Sequence, residues 1–130
     1  MPDDNVELVR KGLEAFNRRD VTGMLDTLDP DVELLPLRAV LEGEAYHGHA
    51  GFLRWLADMD DDWESFRTEA TELRGLDGDR VLVIGRVRAK ARASGIDVDA
   101  PGAWLCSLRD RHVTRIHFYA DPERALAENL

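Results

Sequence analysis

The stretch RVLVIGRVRAKARA, running from Arg80 to Ala93, decides how the chain folds. Val81, Val83, Gly85, Val87, Ala89, Ala91 and Ala93 fall on one parity, and Leu82, Ile84, Arg86, Arg88, Lys90 and Arg92 on the other. Successive side chains of an extended chain point to opposite faces, so this alternation predicts a long strand whose small apolar face is buried. Its neighbours continue the pattern, with candidate strands at Phe66 to Leu76, Ala103 to Arg109 and Val113 to Tyr119. Asp77-Gly78-Asp79, Ser94-Gly95 and Asp110-Arg111 supply the bends between them. Links this short join antiparallel strands, and an Asp-Gly dipeptide tolerates the positive φ of a tight turn.

Upstream, the period changes from two to that of a helix. Val6, Val9, Leu13 and Phe16 share one helical face over Val6 to Asn17, with Asp4 and Glu7 spaced as a capping box. A second short helix is expected from Asp20, packing Met24, Leu25 and Leu28 and stopped by Pro30. Asp31 to Leu37 reads as a short strand, and a glycine-bearing loop through Gly43 and Gly48 leads to a third helix. That helix runs from about His49 to Met59 and buries Phe52, Trp55, Leu56 and Met59. Asp121 and Pro122 open a closing helix, as N-cap and first position. The order predicts an α+β class, with helices laid on one face of a curved sheet.

At 130 residues the chain is sized for one domain, 1–130, with a packed core. A net charge of -9 repels phosphate backbones and anionic bilayers, so neither nucleic acid nor membrane is an expected partner. The excess is uneven: residues 1–62 hold six basic and 15 acidic groups, and residues 63–130 hold 11 of each. No stretch approaches the roughly 20 apolar residues of a membrane span, and Met1-Pro2-Asp3-Asp4 lacks the basic start of a signal peptide. With Cys106 as the only cysteine there is no internal disulfide, and a cytoplasmic location is expected. Cys106 itself reads as a small buried hydrophobe.

Four passages carry a family resemblance over nearly the whole chain. They are Val9 to Asp20 ending in Asn17-Arg18-Arg19-Asp20, then Asp29-Pro30-Asp31-Val32-Glu33, then Tyr46-His47-Gly48-His49, and finally Val113 to Asp121. Together they resemble the NTF2-like superfamily, in particular its SnoaL-like, polyketide cyclase-like members. The resemblance implies a cone in which a curved antiparallel or mixed sheet wraps around the N-terminal helices and encloses a mostly apolar pocket, often in a homodimer. Its members include isomerases, cyclases, epoxide hydrolases, dehydratases and non-catalytic assembly domains, so the fold selects no activity. The ketosteroid isomerase constellation is missing, because Gly12, Leu35 and Ala103 or Trp104 stand at its tyrosine and two carboxylate positions. The Asp-Arg-Asp set of the epoxide hydrolases is not recognisable either.

Candidate chemistry therefore comes from the residues themselves. The last strand sets Arg115, His117 and Tyr119 against Thr114, Ile116 and Phe118, and one set faces the pocket. If it is the polar set, His117 and Tyr119 are acid/base or oxyanion-stabilising candidates and Arg115 a ligand contact. Otherwise Ile116 and Phe118 line the core. Glu33, desolvated, would be a general base, or it alternates outward with Val32 and Leu34 buried. Tyr46, Trp55, Trp63 and Trp104 are the aromatic surface for an apolar or ring-bearing ligand, each also a plausible plain core residue. His47 and His49 with His117 give three imidazoles, enough for zinc, although a loop at a helix start accounts for the first two without metal. Asp58, Asp60, Asp61 and Asp62 read as a solvated helix end, and the row Arg86, Arg88, Lys90 and Arg92 as an outer face pairing with acids across a dimer interface.

Two functions stand at this point. One is a protein that binds a small apolar organic molecule, with cofactor-independent acid/base chemistry of isomerase, cyclase or hydrolase type. The other is a non-catalytic homodimeric assembly domain with a vestigial pocket. No cofactor is expected in either.

Overall fold

The computed structural model describes residues 2–36, 43 and 45–130. Helices α1 (Pro2–Arg18) and α2 (Val21–Thr27) lead into strand β1 (Leu28–Leu35). The two-residue strand β2 (Tyr46–His47) and helix α3 (Gly48–Asp62) follow, then β3 (Trp63–Leu76), β4 (Arg80–Ala91), β5 (Asp97–Arg109), β6 (His112–Tyr119) and helix α4 (Pro122–Asn129). One six-stranded curved sheet runs β2-β1-β6-β5-β4-β3, with β1 parallel to β6 and every other pair antiparallel. Helices α1 to α3 pack on its inner face. The α+β layering is as the sequence predicts.

Several boundaries move, each for a local reason. Helix α1 begins at Pro2, where a missing N–H costs nothing, so Asp4 lies inside the helix and the capping box is absent. Glu7 instead accepts from Arg10 Nε at 3.1 Å. Helix α2 is capped by Asp20, whose Oδ1 accepts from the Gly23 N–H at 3.1 Å, but it stops before Leu28. Strand β1 then starts ahead of Pro30. It tolerates the proline because its register with β6 slips between Leu28 and Glu33, leaving no ladder bond for Pro30 to break. The expected end of that strand, Leu37, lies outside the described residues. Strand β5 begins at Asp97 rather than Ala103. Its pairing with β6 ends at Ala103 opposite Tyr119, so Pro101 has a neighbour on the β4 side only.

The inner face of β4 carries the residues that the parity predicts. Val81 and Val83 are buried in the main core with Val9, Phe16, Met24, Leu34, Phe52 and Leu56. The outer face is less simple. Leu82 has no exposed surface, because it packs with Ala103 and Ala125 beneath α4 in a second small core. Beyond α4 the same face is charged, and Arg86 and Arg88 have acidic partners within the chain. Arg86 Nε donates to Asp99 Oδ1 at 2.6 Å, and Arg88 lies 3.4 Å from Glu69. The Arg86 hydrogen bond holds the exposed Asp99 carboxyl below its usual range. Arg92 turns back to accept nothing and donate twice to the Asp60 carbonyl, at 3.2 and 2.9 Å, near the end of α3.

Helix α1 is fixed to β3 by Asn17. Its Nδ2 donates to the Thr68 carbonyl at 2.8 Å, and its Oδ1 accepts from the Thr68 N–H at 3.1 Å and hydroxyl at 3.3 Å. Thr68 is buried, so these groups have no water to fall back on. Asn17→Ala should cost about 2 kcal/mol by leaving them unpaired. Urea unfolding would show this as a lower midpoint at unchanged slope.

Candidate functional site

Between the inner face of the sheet and α1 to α3 lies a cavity of about 760 Å³, within the range of small-molecule sites. Eight of the described residues on its wall are aromatic. Phe52 stacks on Trp55 with ring centroids 5.6 Å apart, and Trp55 stacks on Phe16 at 5.7 Å. Phe16 meets Phe66 edge-on at 6.1 Å, and Phe66 meets Trp63 at 6.0 Å. Across the cavity Trp104 lies 5.5 Å from Phe118. Gly102 makes room for that pair, since a Cβ there would sit 2.9 Å from the Phe118 ring.

Few polar groups interrupt this surface. The hydroxyls of Thr27 and Thr68 are spent on the Met24 carbonyl at 2.8 Å and on Asn17. Tyr46 Oη donates to Asp58 Oδ2 at 3.1 Å, joining β2 to α3 across the wall. Asp62 lies one helical turn beyond Asp58 and also borders the cavity.

The model of the SnoaL-like domain matches residues 9–116. The chain belongs to the SnoaL-like family. No curated protein matches this SnoaL-like chain, but solved structures do. TerC, co-crystallised with polyporic acid, is 27% identical over 97% of each chain, with a TM-score of 0.80. A putative polyketide cyclase from Xanthomonas campestris pv. campestris is 26% identical over 96% of each chain, with a TM-score of 0.76. An NTF2-like protein of unknown function from Burkholderia pseudomallei K96243 is 24% identical over 95% of each chain, with a TM-score of 0.80.

In the SnoaL-like chain Tyr46, Trp55, Trp63 and Trp104 all border the cavity. His117, Tyr119, Arg115 and Glu33 do not, which corrects the alternative that turns the polar set of the last strand inward. Ile116 and Phe118 take the cavity side of β6, because burying two large apolar side chains outweighs burying an imidazole and a guanidinium. Outside, His117 stacks on Tyr119 at 4.4 Å. Tyr119 Oη accepts from Asn129 Nδ2 of α4 at 3.5 Å. Burial and then the neighbouring Arg115 hold the His117 pKa below its ordinary value. Arg115 Nε donates to Glu33 Oε1 at 3.0 Å, and Glu33 alternates outward while Val32 and Leu34 are buried.

The three imidazoles do not converge. His49 Nε2 lies 3.0 Å from the Leu28 carbonyl and ties the start of α3 to β1. His47 is exposed, 3.9 Å from Glu33. Among the described residues no group of three or more His, Cys, Asp or Glu is placed to hold a metal ion. Cys106 borders the cavity, but burial pushes its thiol up to about 12, so it stays protonated and weakly nucleophilic at neutral pH. Asp60, Asp61 and Asp62 are exposed, as the reading of a solvated helix end expects, but Asp58 and Asp62 also border the cavity. Their signal was spacing: Trp55, Asp58 and Asp62 stand at i, i+3 and i+7, which puts them on one helical face.

Proposed function

We propose that the chain binds a small, apolar, ring-bearing organic molecule in this cavity, and that Tyr46 and Asp58 perform cofactor-independent acid/base chemistry on it. The observation that carries this is the Tyr46–Asp58 hydrogen bond on the wall of an otherwise apolar, aromatic cavity. A carboxylate in such a setting accepts a proton from the ligand, and the Tyr46 phenol, by turning its one proton from Asp58 to the bound ligand, donates to a carbonyl or developing oxyanion. The co-crystallised TerC and the putative cyclase support the same class of ligand. A vestigial pocket would be closed by side chains, and the volume here counts against an assembly domain.

The test begins with native mass spectrometry of gently purified protein, beside titration with the neutral fluorescent probe N-phenyl-1-naphthylamine. Saturable binding of one probe per chain is expected, unchanged by His117→Ala or Tyr119→Phe. Absence of both a retained mass and saturable probe binding would refute the cavity as a ligand site. Any retained molecule then serves as the lead substrate. Turnover of it that is undiminished in Asp58→Asn and Tyr46→Phe would remove the acid/base roles. The same spectrum tests the expected homodimer, at twice the 14.7 kDa of one chain.

A further inference from the structure

We propose that the cavity selects ring-bearing ligands that carry a protonated amine over their neutral and anionic counterparts. This rests on the cavity being a ligand site and adds the charge class of its ligand.

The sign of the wall is one-sided. The chain has 17 Lys and Arg residues, yet among the described residues bordering the cavity the formally charged side chains are Asp58 and Asp62. The nearby arginines are engaged elsewhere. The Arg19 guanidinium lies 4.5 Å from the Phe16 ring centroid and donates to the Phe16 and Phe66 carbonyls at 3.0 and 3.3 Å. Arg92 donates to the carbonyls of Asp60 and Trp63. Arg54, one turn before Asp58, lies 5.1 Å from the Tyr46 ring centroid. Neither Asp58 nor Asp62 forms a salt bridge with a described residue, and the Asp62 carboxylate has no hydrogen-bond donor among them.

The remaining wall suits a cation as well. Trp63, next to Asp62 in the chain, borders the cavity and meets Phe66 at a steep angle rather than face to face, and an indole face attracts ammonium groups through its quadrupole. An ammonium entering here gains charge-assisted hydrogen bonds from two carboxylates and a ring face at once. A carboxylate ligand would meet like charge, with no cationic side chain among the described residues that border the cavity. The field of the helical half, with its net -9 over residues 1–62, acts in the same direction at longer range.

Displacement of N-phenyl-1-naphthylamine at neutral pH by three matched probes tests this: 2-naphthylmethylamine, 2-naphthalenemethanol and 2-naphthoate. The amine should displace at about tenfold lower concentration than the alcohol, a difference of about 1.4 kcal/mol, and the carboxylate should be weakest. Asp62→Asn and Asp58→Asn should each erode the amine's advantage over the alcohol. The Asp62 side chain makes no hydrogen bond among the described residues, so Asp62→Asn keeps the test readable if Asp58→Asn disturbs Tyr46. If the alcohol matches the amine while both displace the probe, the charge preference is wrong and the cavity stands as a site. An amine preference that survives both substitutions would overturn the assignment to these carboxylates. If the first probe itself does not bind, the ligand site and this inference fall together.

Discussion

Gly85→Ala should destabilise the fold by about 3 kcal/mol or more, the upper range for overpacking. Gly85 faces Ala70 in the β3–β4 ladder, next to the irregularity between Ala70 and Glu72. A Cβ at this position would lie 1.9 Å from the Glu69 carbonyl oxygen, 2.9 Å from its carbon and 3.0 Å from the Ala70 Cα. All three are backbone atoms, so no side chain can rotate away to relieve the contact. Relief requires the strands to part or the irregularity to move, and each breaks ladder bonds that are otherwise made. Thr71 marks the extra residue, with its hydroxyl donating to the Ile84 carbonyl at 3.0 Å. Urea unfolding measures the effect directly. A midpoint equal to that of the parent would refute the close approach of the two strands.

Val87→Trp should lower the affinity for N-phenyl-1-naphthylamine by at least about tenfold, a change of about 1.4 kcal/mol. Val87 sits between Thr68 and Ala100 in the ladders and borders the cavity. A larger ring at that position grows into open volume rather than into packed atoms, so the variant should fold. Circular dichroism and an unfolding midpoint establish that, and the probe titration then reads occupancy alone. Parent-like affinity in a folded Val87→Trp protein would put the probe somewhere other than this cavity.

What could be read ahead of the structure was set by period. Strict alternation over Arg80 to Ala93 located β4 and its inner face, and the step of three and four from Val6 to Phe16 located the first helix. Both are properties of a single element against a single core. Features that depend on a second element were out of reach. Leu82 and Ile84 share parity with the arginines, and only the docking of α4 makes one end of that face a core. The strand expected from Ala103 in fact starts at Asp97, and it holds Pro101 because β5 lacks a β6 neighbour there. Likewise His117 and Tyr119 look like the reactive pair on a polar-rich strand, and the choice of face was made by Ile116 and Phe118. The acidic end of α3 is solvated as read, with Asp60, Asp61 and Asp62 exposed, but that Asp58 and Asp62 also border the cavity depends on how α3 packs against the sheet.

All three indoles of the chain, Trp55, Trp63 and Trp104, border the same cavity. Near-ultraviolet emission from this protein therefore has a single address, with no tryptophan elsewhere to dilute it. A guest that absorbs where indole emits would dim the whole signal, and one that only displaces water would shift its colour. The molecule carries its own unlabelled gauge of occupancy, so a library of candidate compounds can be screened before any reaction is known.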